Sequence, residues 1–402
     1  MPPPPLPLDD VLVVDFSRLL PGPWSTQALG DLGARVVKVE QRGLGDPSRH
    51  NPPAYRGTSA YFHGVNGNKR SLSLDLAGAA GRDVAHRLLR QADVVVESFR
   101  PGVAAKLGVG YDTAKTLRPD VIYCSITGFG QSGPLAKVPG HDLVIQATAG
   151  ILSSVRGPDG VPVQPSFQAG DYAAAAAATT GILAALRRRD RGGGGCRLDI
   201  AMFDSLLWMG NIALAPAMAR AGGGTGEPTM QVWGGNPRYA LYPTRDGKAV
   251  AVCLLEARLW RGFCEAIGRP DLIDEDEGPE HRHSDHGERS ALYRAAIADL
   301  CRASDRDALC ARMTAFGLAV MPVLDGDEVL ASENARARGV VESIDDPREG
   351  RVPALRAPFG DSGLTRAQRS PAPAQGGDAD AVLEELGYGR DERAALRAAG
   401  IV

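Results

Sequence analysis

The N-terminal third of the chain alternates short β-branched runs with segments of helical period. That alternation limits the fold more than any other feature. Residues 11–16, 35–40, 93–99 and 121–126 read as strands, and Val-rich stretches such as Val94-Val95-Val96 suit a sheet covered on both faces. Between them, residues 24–32 and 77–92 have helical patterning. Pro23 suits the first turn of the former, and Leu88 and Leu89 form the buried face of the latter. Strands separated by helices pair in parallel, because a parallel connection needs a crossover. The expected class is therefore α/β, with a large Rossmann-like domain. At 402 residues the chain is too long for one core, so a second, smaller domain is expected.

Further along, residues 172–188 read as a helix with Ile182, Leu183 and Leu186 as its stripe, and Gly-rich stretches at 192–195 and 221–227 read as linkers. Residues 198–219 read as a strand leading into an apolar helix. A hairpin turning at Asp246-Gly247 then opens a second compact stretch. The expected division is a large domain over 1–205 and 335–402, a linker over 206–225, and a smaller α+β domain with a connecting segment over 226–334.

Composition excludes several function classes. A net charge of −3 gives no electrostatic case for nucleic acid, and no apolar run has the length of a membrane span. The six cysteines contain no CxxC pair and read as reduced thiols, and the polyproline start lacks the basic head and apolar stretch of a signal peptide. A cytoplasmic protein is expected. Neither GxGxxG after a strand, nor GxxxxGK[ST], nor GxSxG occurs. His281, His283 and His286 sit in an acidic, Gly-rich stretch that reads as a solvated loop, so no metal site is expected.

The chemistry-bearing candidates are few. Asp171 ends the small-residue turn Phe167-Gln168-Ala169-Gly170-Asp171 just ahead of an alanine run, so it either caps the helix or is presented by it. His141 follows Pro139-Gly140 in a polar turn, and Glu256 ends Leu254-Leu255-Glu256. Arg42, Lys69, Arg70, Phe99, Arg100 and Lys106 cluster near predicted strand ends, where they suit a phosphorylated nucleotide with Phe99 stacking on its base.

Six motifs, in order, resemble those of CoA-transferase family III, the group that holds α-methylacyl-CoA racemases and formyl-CoA or carnitine-CoA transferases. They are Arg18-Leu19-Leu20-Pro21-Gly22-Pro23, Gly30-Asp31-Leu32-Gly33-Ala34, Val36-Val37-Lys38-Val39-Glu40, Asn68-Lys69-Arg70-Ser71, Glu97-Ser98-Phe99-Arg100-Pro101-Gly102-Val103 and Thr127-Gly128-Phe129-Gly130-Gln131-Ser132-Gly133-Pro134. The resemblance implies an interlocked homodimer and an acyl-CoA thioester substrate. It implies no permanently bound cofactor, since CoA arrives as part of the substrate. Ser98 and Gly140 join the expected CoA-binding set. Where the family often carries an arginine after Glu40 this chain has Gln41, and a one-residue shift is expected to let Arg42 serve.

In the transferase branch an aspartate at the position of Asp171 is the nucleophile that forms acyl anhydrides. In the racemase branch it works with the histidine of a Gly-His-Asp turn, matched by Gly140-His141-Asp142, and a Leu-Glu glutamate, matched by Glu256, supports that histidine. The sequence reading therefore favours a 2-methylacyl-CoA racemase, with His141 and Asp171 exchanging the α-proton. A CoA transferase acting through Asp171 is the alternative, and a non-catalytic CoA-binding protein is a third reading. In either enzyme the first backbone N–H groups of helix 172–188 are expected to be free for an oxyanion.

Overall fold

Six strands form a wholly parallel sheet: β1 (Leu12–Asp15), β2 (Arg35–Gln41), β3 (Lys69–Leu74), β4 (Val94–Glu97), β5 (Ile122–Thr127) and β6 (Cys196–Ala201). Their order is β3-β2-β1-β4-β5-β6, the doubly wound arrangement whose switch point lies between β1 and β4. This computed structural model describes residues 5–157, 159–224, 230, 232–359 and 367–402. The polyproline start and the second Gly-rich linker fall partly outside those residues.

Strand alternation divides the core in two. Leu12 and Val14 of β1 face one side with Val37, Leu72, Leu88 and Leu89. Val13 faces the other with Val36, Val94, Val96 and Ile126. The second layer is closed by the helices Pro21–Asp31 and Ala169–Arg188. Ala173, Ala174 and Ala178 of the latter are fully buried, small enough to bring its backbone close to the sheet. β3 carried no strand signal in the sequence because it is an edge strand whose Lys69-Arg70-Ser71 start is polar.

The chain divides into two compact units, Met1–Gly210 with Arg336–Val402, and Asn211–Ala335. The first holds the parallel sheet, the antiparallel hairpin β10–β11 (Val341–Asp346 and Gly350–Leu355) and the helix Ala379–Glu385, whose Val382 and Leu383 join the first core layer. The second has the three-stranded antiparallel sheet β7 (Tyr239–Pro243), β8 (Ala249–Cys253) and β9 (Val320–Pro322). The hairpin expected at Asp246-Gly247 joins β7 to β8, with Gly247 at φ 75°. Trp260, Phe263, Tyr293 and Ile297 fill the core of this unit. The expected strand-then-helix over 198–219 is β6 followed by two helices, Met202–Met209 and Asn211–Ala221. Among the described residues no helix is long and apolar enough to cross a membrane.

Candidate active site

In an open parallel sheet the chain must leave each strand at its carboxyl end, and the loops diverge where the order reverses, which opens a crevice there. Two cavities of the first unit lie at those ends. The smaller, about 220 Å³, is lined by residues at or just beyond the carboxyl ends of β1, β2, β3 and β4, among them Ser17, Gln41, Asp75 and Phe99. The larger, about 520 Å³, is lined by residues after β1, β4 and β5 and by both His141 and Asp171. Arg18 and Phe99 border both cavities. The Arg18 guanidinium stands 5.3 Å from the Phe99 ring centre, and its backbone N–H donates to Ser98 Oγ at 2.9 Å. Ser98, Arg100 and Gly140 also line the larger cavity. Gly140 packs so tightly on Gly128 that a Cβ on either would stand 3.0 Å from the other's Cα.

Asp171 is the third residue of its helix, Ala169–Arg188, and the cap comes from elsewhere. Asp142, first in the helix Asp142–Thr148, accepts from the N–H of Gly170 at 2.7 Å and of Asp171 at 3.3 Å through one oxygen. Ala169 N–H donates to Phe167 O and Tyr172 N–H to Gln168 O. All four N–H groups of the helix start are thus occupied, so the expected free donors for an oxyanion are absent there. Capping is also not the role of Asp171, whose carboxyl is left for the cavity. Burial pushes that carboxyl up, and the neighbouring Asp142 charge pushes it further, to about 7. Tyr61, from the helix Ala60–Asn66, borders the same cavity, and burial together with the Asp171 charge raises its hydroxyl pKa.

His141 flanks the start of the helix Asp142–Thr148, and its carbonyl accepts from the Val144 and Ile145 N–H groups. Its imidazole is exposed on the cavity wall opened by Gly140. Glu256 lies in the second unit, where its carboxylate makes a 2.7 Å ion pair with Arg282 that holds its pKa below the usual range.

Four expected ligand contacts lie elsewhere. Lys69 opens β3, at the amino end of the sheet, and is fully buried. Its ammonium donates to Asp15 Oδ2 at 3.0 Å, Pro23 O at 2.8 Å and Asn66 Oδ1 at 2.9 Å, which leaves no donor for a ligand. Arg70, next on the strand, pairs with Glu385 at 2.6 Å. Lys106 is exposed and borders neither cavity. Gln41 itself lines the smaller cavity, whereas the exposed Arg42 guanidinium lies outside that lining, against Gly400.

The motif lysines and acids instead build a buried ion cage beneath the crevice. Lys38 pairs with Asp46 at 2.8 Å, both side chains fully buried, and donates to Ser17 O at 2.9 Å. Arg49 grips Glu40 through two bonds of 2.7 Å. Asp46 also accepts from the backbone N–H of Leu19, which holds φ 66° on the cavity wall, a left-handed backbone that a branched residue rarely adopts. Asp46, Asn51, Tyr61 and Asp142 were not singled out from the sequence. Only Asp142 had a readable signal, an acid in the first turn of a helix beside Gly140-His141. Among the described residues no three His, Cys, Asp or Glu side chains gather closely enough to hold a metal ion.

The model for CoA-transferase family III matches residues 8–379. The chain belongs to that family. It is 33% identical to the acetyl-CoA:oxalate CoA-transferase of Acetobacter aceti, over 83% of this chain and 85% of that one. It is 30% identical to the succinate–glutarate CoA-transferase of Agrobacterium fabrum (strain C58 / ATCC 33970), over 94% and 96%. Among solved structures, a CaiB/BaiF family protein from Brucella suis superposes with a TM-score of 0.80 at 32% identity, covering 94% of this chain and 99% of that one. A Mycobacterium tuberculosis protein gives 0.81 at 27% identity, covering 94% and 99%. Both curated relatives bear transferase names. The comparison thus favours the transferase over the racemase that the Gly-His-Asp turn suggested.

Proposed function

We propose that this family III enzyme is a CoA transferase that moves CoA between two carboxylic acids through an acyl anhydride on Asp171. The observation that carries the proposal is the placement of Asp171. It is a largely buried carboxyl on a cavity at the switch-point crevice, with its helix start capped by another residue and its pKa raised to about 7. A carboxylate of raised basicity is a better nucleophile than an ordinary one, and it is still largely ionised at slightly alkaline pH.

In this mechanism ionised Asp171 attacks the thioester carbonyl, the C–S bond breaks, and CoA thiolate departs, leaving a mixed anhydride. The thiolate then attacks the aspartyl carbonyl. The first acid leaves as its carboxylate, and Asp171 is held as a CoA thioester. The second acid attacks that carbonyl and expels the thiolate, which attacks the new acyl carbonyl and frees Asp171. No net proton is consumed, and one oxygen of the second acid stays on Asp171. The smaller cavity is proposed for the nucleotide end of CoA. Arg18 and Phe99 then stand where its chain passes into the larger cavity. No permanently bound cofactor is part of the proposal. A cytoplasmic, interlocked homodimer is, and light scattering of the purified protein tests the oligomeric state.

The substrate names of the relatives make short mono- and dicarboxylates the first acids to test. The protein is mixed with succinyl-CoA or acetyl-CoA and a panel of such acids carrying ¹⁸O, and new thioesters are followed by mass spectrometry. Transfer should place a two-mass-unit label on the Asp171 peptide and yield a hydroxylamine-trapped adduct there. Transfer without label or adduct would refute the anhydride route.

One observation favours a second reading: His141 and Asp171 line one cavity, as a pair of acid–base groups would. Incubation of a 2-methylacyl-CoA in D₂O separates the two. α-Deuterium uptake with loss of chirality, abolished in His141→Ala, supports racemisation.

A further inference from the structure

We propose that Asp142 is a positioning residue for the reaction: its carboxylate locks the turn that presents Asp171 and supplies the negative charge against which Asp171 ionises. The inference rests on Asp171 being the reacting group, in either reading above.

Asp142 is the point where two helix starts meet. It follows His141 in the chain, and one of its oxygens accepts from Gly170 and Asp171. The other oxygen accepts from Gln146 Nε2, which also donates to Phe167 O at 2.9 Å. The turn before Asp171 is therefore held at Phe167, Gly170 and Asp171 by Asp142 and the Gln146 it engages. The packing at Gly170 is tight, since a Cβ there would stand 3.0 Å from Ile145 and 3.2 Å from Asp142 Oδ1 and would press on both.

Electrostatics follow from the same bonds. Free N–H groups at a helix start would stabilise a carboxylate at Asp171 and lower its basicity. Asp142 occupies two of them and adds a like charge, so both effects keep Asp171 basic. The other ionisable groups near Asp171 are Tyr61 from the helix Ala60–Asn66 and Tyr172 on its own helix, with His141, Arg18 and Arg100 on the shared cavity. Among the described residues the Asp142 carboxylate accepts from Gly170, Asp171 and Gln146 and from none of these groups, so replacing Asp142 tests it separately.

Two variants separate its two roles. Asp142→Asn keeps an acceptor for the backbone while removing the charge, and Asp142→Ala removes both. The acid limb of the pH–rate profile is expected to move down by about one unit in each variant. Amide exchange of the peptide spanning 167–176, read by mass spectrometry, should change less in Asp142→Asn than in Asp142→Ala, since Asn keeps the acceptor for Gly170 and Asp171 and loses only the one for Gln146. In Asp142→Ala it should be roughly fivefold faster, the factor a lost cap of ordinary strength represents. If the chain transfers no CoA, the titration of Asp171 is read from ¹³C-labelled aspartate, with its carboxyl resonance assigned by loss in Asp171→Asn. Failure of the transferase reading is thereby distinguished from failure of this one. An acid limb, or resonance midpoint, that stays in place in Asp142→Asn overturns the tuning role. Equal amide exchange in Asp142→Ala and wild type overturns the lock. If Asp142→Ala does not fold, Asp142→Asn alone still decides the tuning role.

Discussion

Asp15 and Asp171 are both withdrawn from water in the same unit, and their surroundings treat them in opposite ways. Burial alone would raise the Asp15 carboxyl. Lys69, Lys38 and the Ser17 and Thr26 hydroxyls outweigh it and hold the group at about 2. At Asp171 burial acts in the same direction but nothing opposes it, and Asp142 adds to it, giving about 7. An acid whose pairing is complete supports the fold, and an acid left basic and open to a cavity is available for chemistry. The comparison also shows what occupies Lys69: Asp15 and two backbone or amide oxygens engage all three donors of its ammonium.

The largest expected effect breaks the comparison on the chemical side. Asp171→Asn should lower CoA transfer by about a thousandfold or more, or ~4 kcal/mol in the barrier, because the amide cannot form the anhydride. The same substitution should not unfold the protein, as steady-state rates and a melting curve on one preparation would show. Retention of more than a tenth of the activity would move the nucleophile elsewhere.

On the structural side, Lys69→Met should cost about 3–5 kcal/mol in urea unfolding, since it leaves Asp15 buried without its main partner. Adding Asp15→Asn should recover part of that loss. KM for the CoA donor should be unaltered in whatever folds. A raised KM with unchanged stability would instead return Lys69 to the ligand.

Stability against pH sharpens the contrast, because the two acids contribute with opposite sign. Asp15 is depressed in the fold, so its contribution is present above the unfolded value near 3.8 and is lost as pH falls through about 2. Asp171 is raised, so the folded state retains a proton the unfolded chain has already lost, and its contribution falls as pH rises from about 4 through about 7. Asp171→Asn should therefore stabilise the protein at pH 8, by on the order of 2 kcal/mol once partial solvent access is discounted, and leave it unchanged near pH 4. Unfolding at the two pH values checks both the sign and the window.

The sheet was legible because Val-rich strands buried on both faces leave a strong local signal, and β1, β2, β4 and β5 carry it. β3 did not, since an edge strand can alternate with polar residues. At the site, Asp171 and His141 stood out through their turns and do share a cavity, whereas Tyr61 and Asn51 reach it from a segment without periodicity. In the basic cluster, residue type suggested phosphate binding, but tertiary placement engages the two motif cations elsewhere. Arg70 is held for a topological reason: in a parallel sheet the ligand crevice lies at the carboxyl ends, and Arg70 begins its strand and pairs with Glu385. Lys69 reaches Asp15 at the carboxyl end of β1, but its three donors are all taken. Whether Asp171 caps its own helix was left open because sequence places it at that helix start, and only the tertiary fold brings Asp142 there from 29 residues away.

Arg70→Ala is the smallest expected effect and isolates that topological reason. Arg70 follows Lys69 in the motif that carries the family resemblance, so residue type alone would make it a phosphate contact. In the fold its guanidinium forms a two-bond pair with Glu385, itself half-exposed, at the amino end of the sheet. An exposed pair of this kind contributes about 0.5 kcal/mol or less, and salt screens it further. Arg70→Ala should therefore change unfolding free energy by no more than that amount and leave KM for the CoA donor within twofold. Arg18→Ala borders both cavities and should raise KM. If Arg70→Ala raised KM as much as Arg18→Ala, strand direction would not be what separates ligand cations from structural ones here, and the crevice would have to extend around the edge of β3.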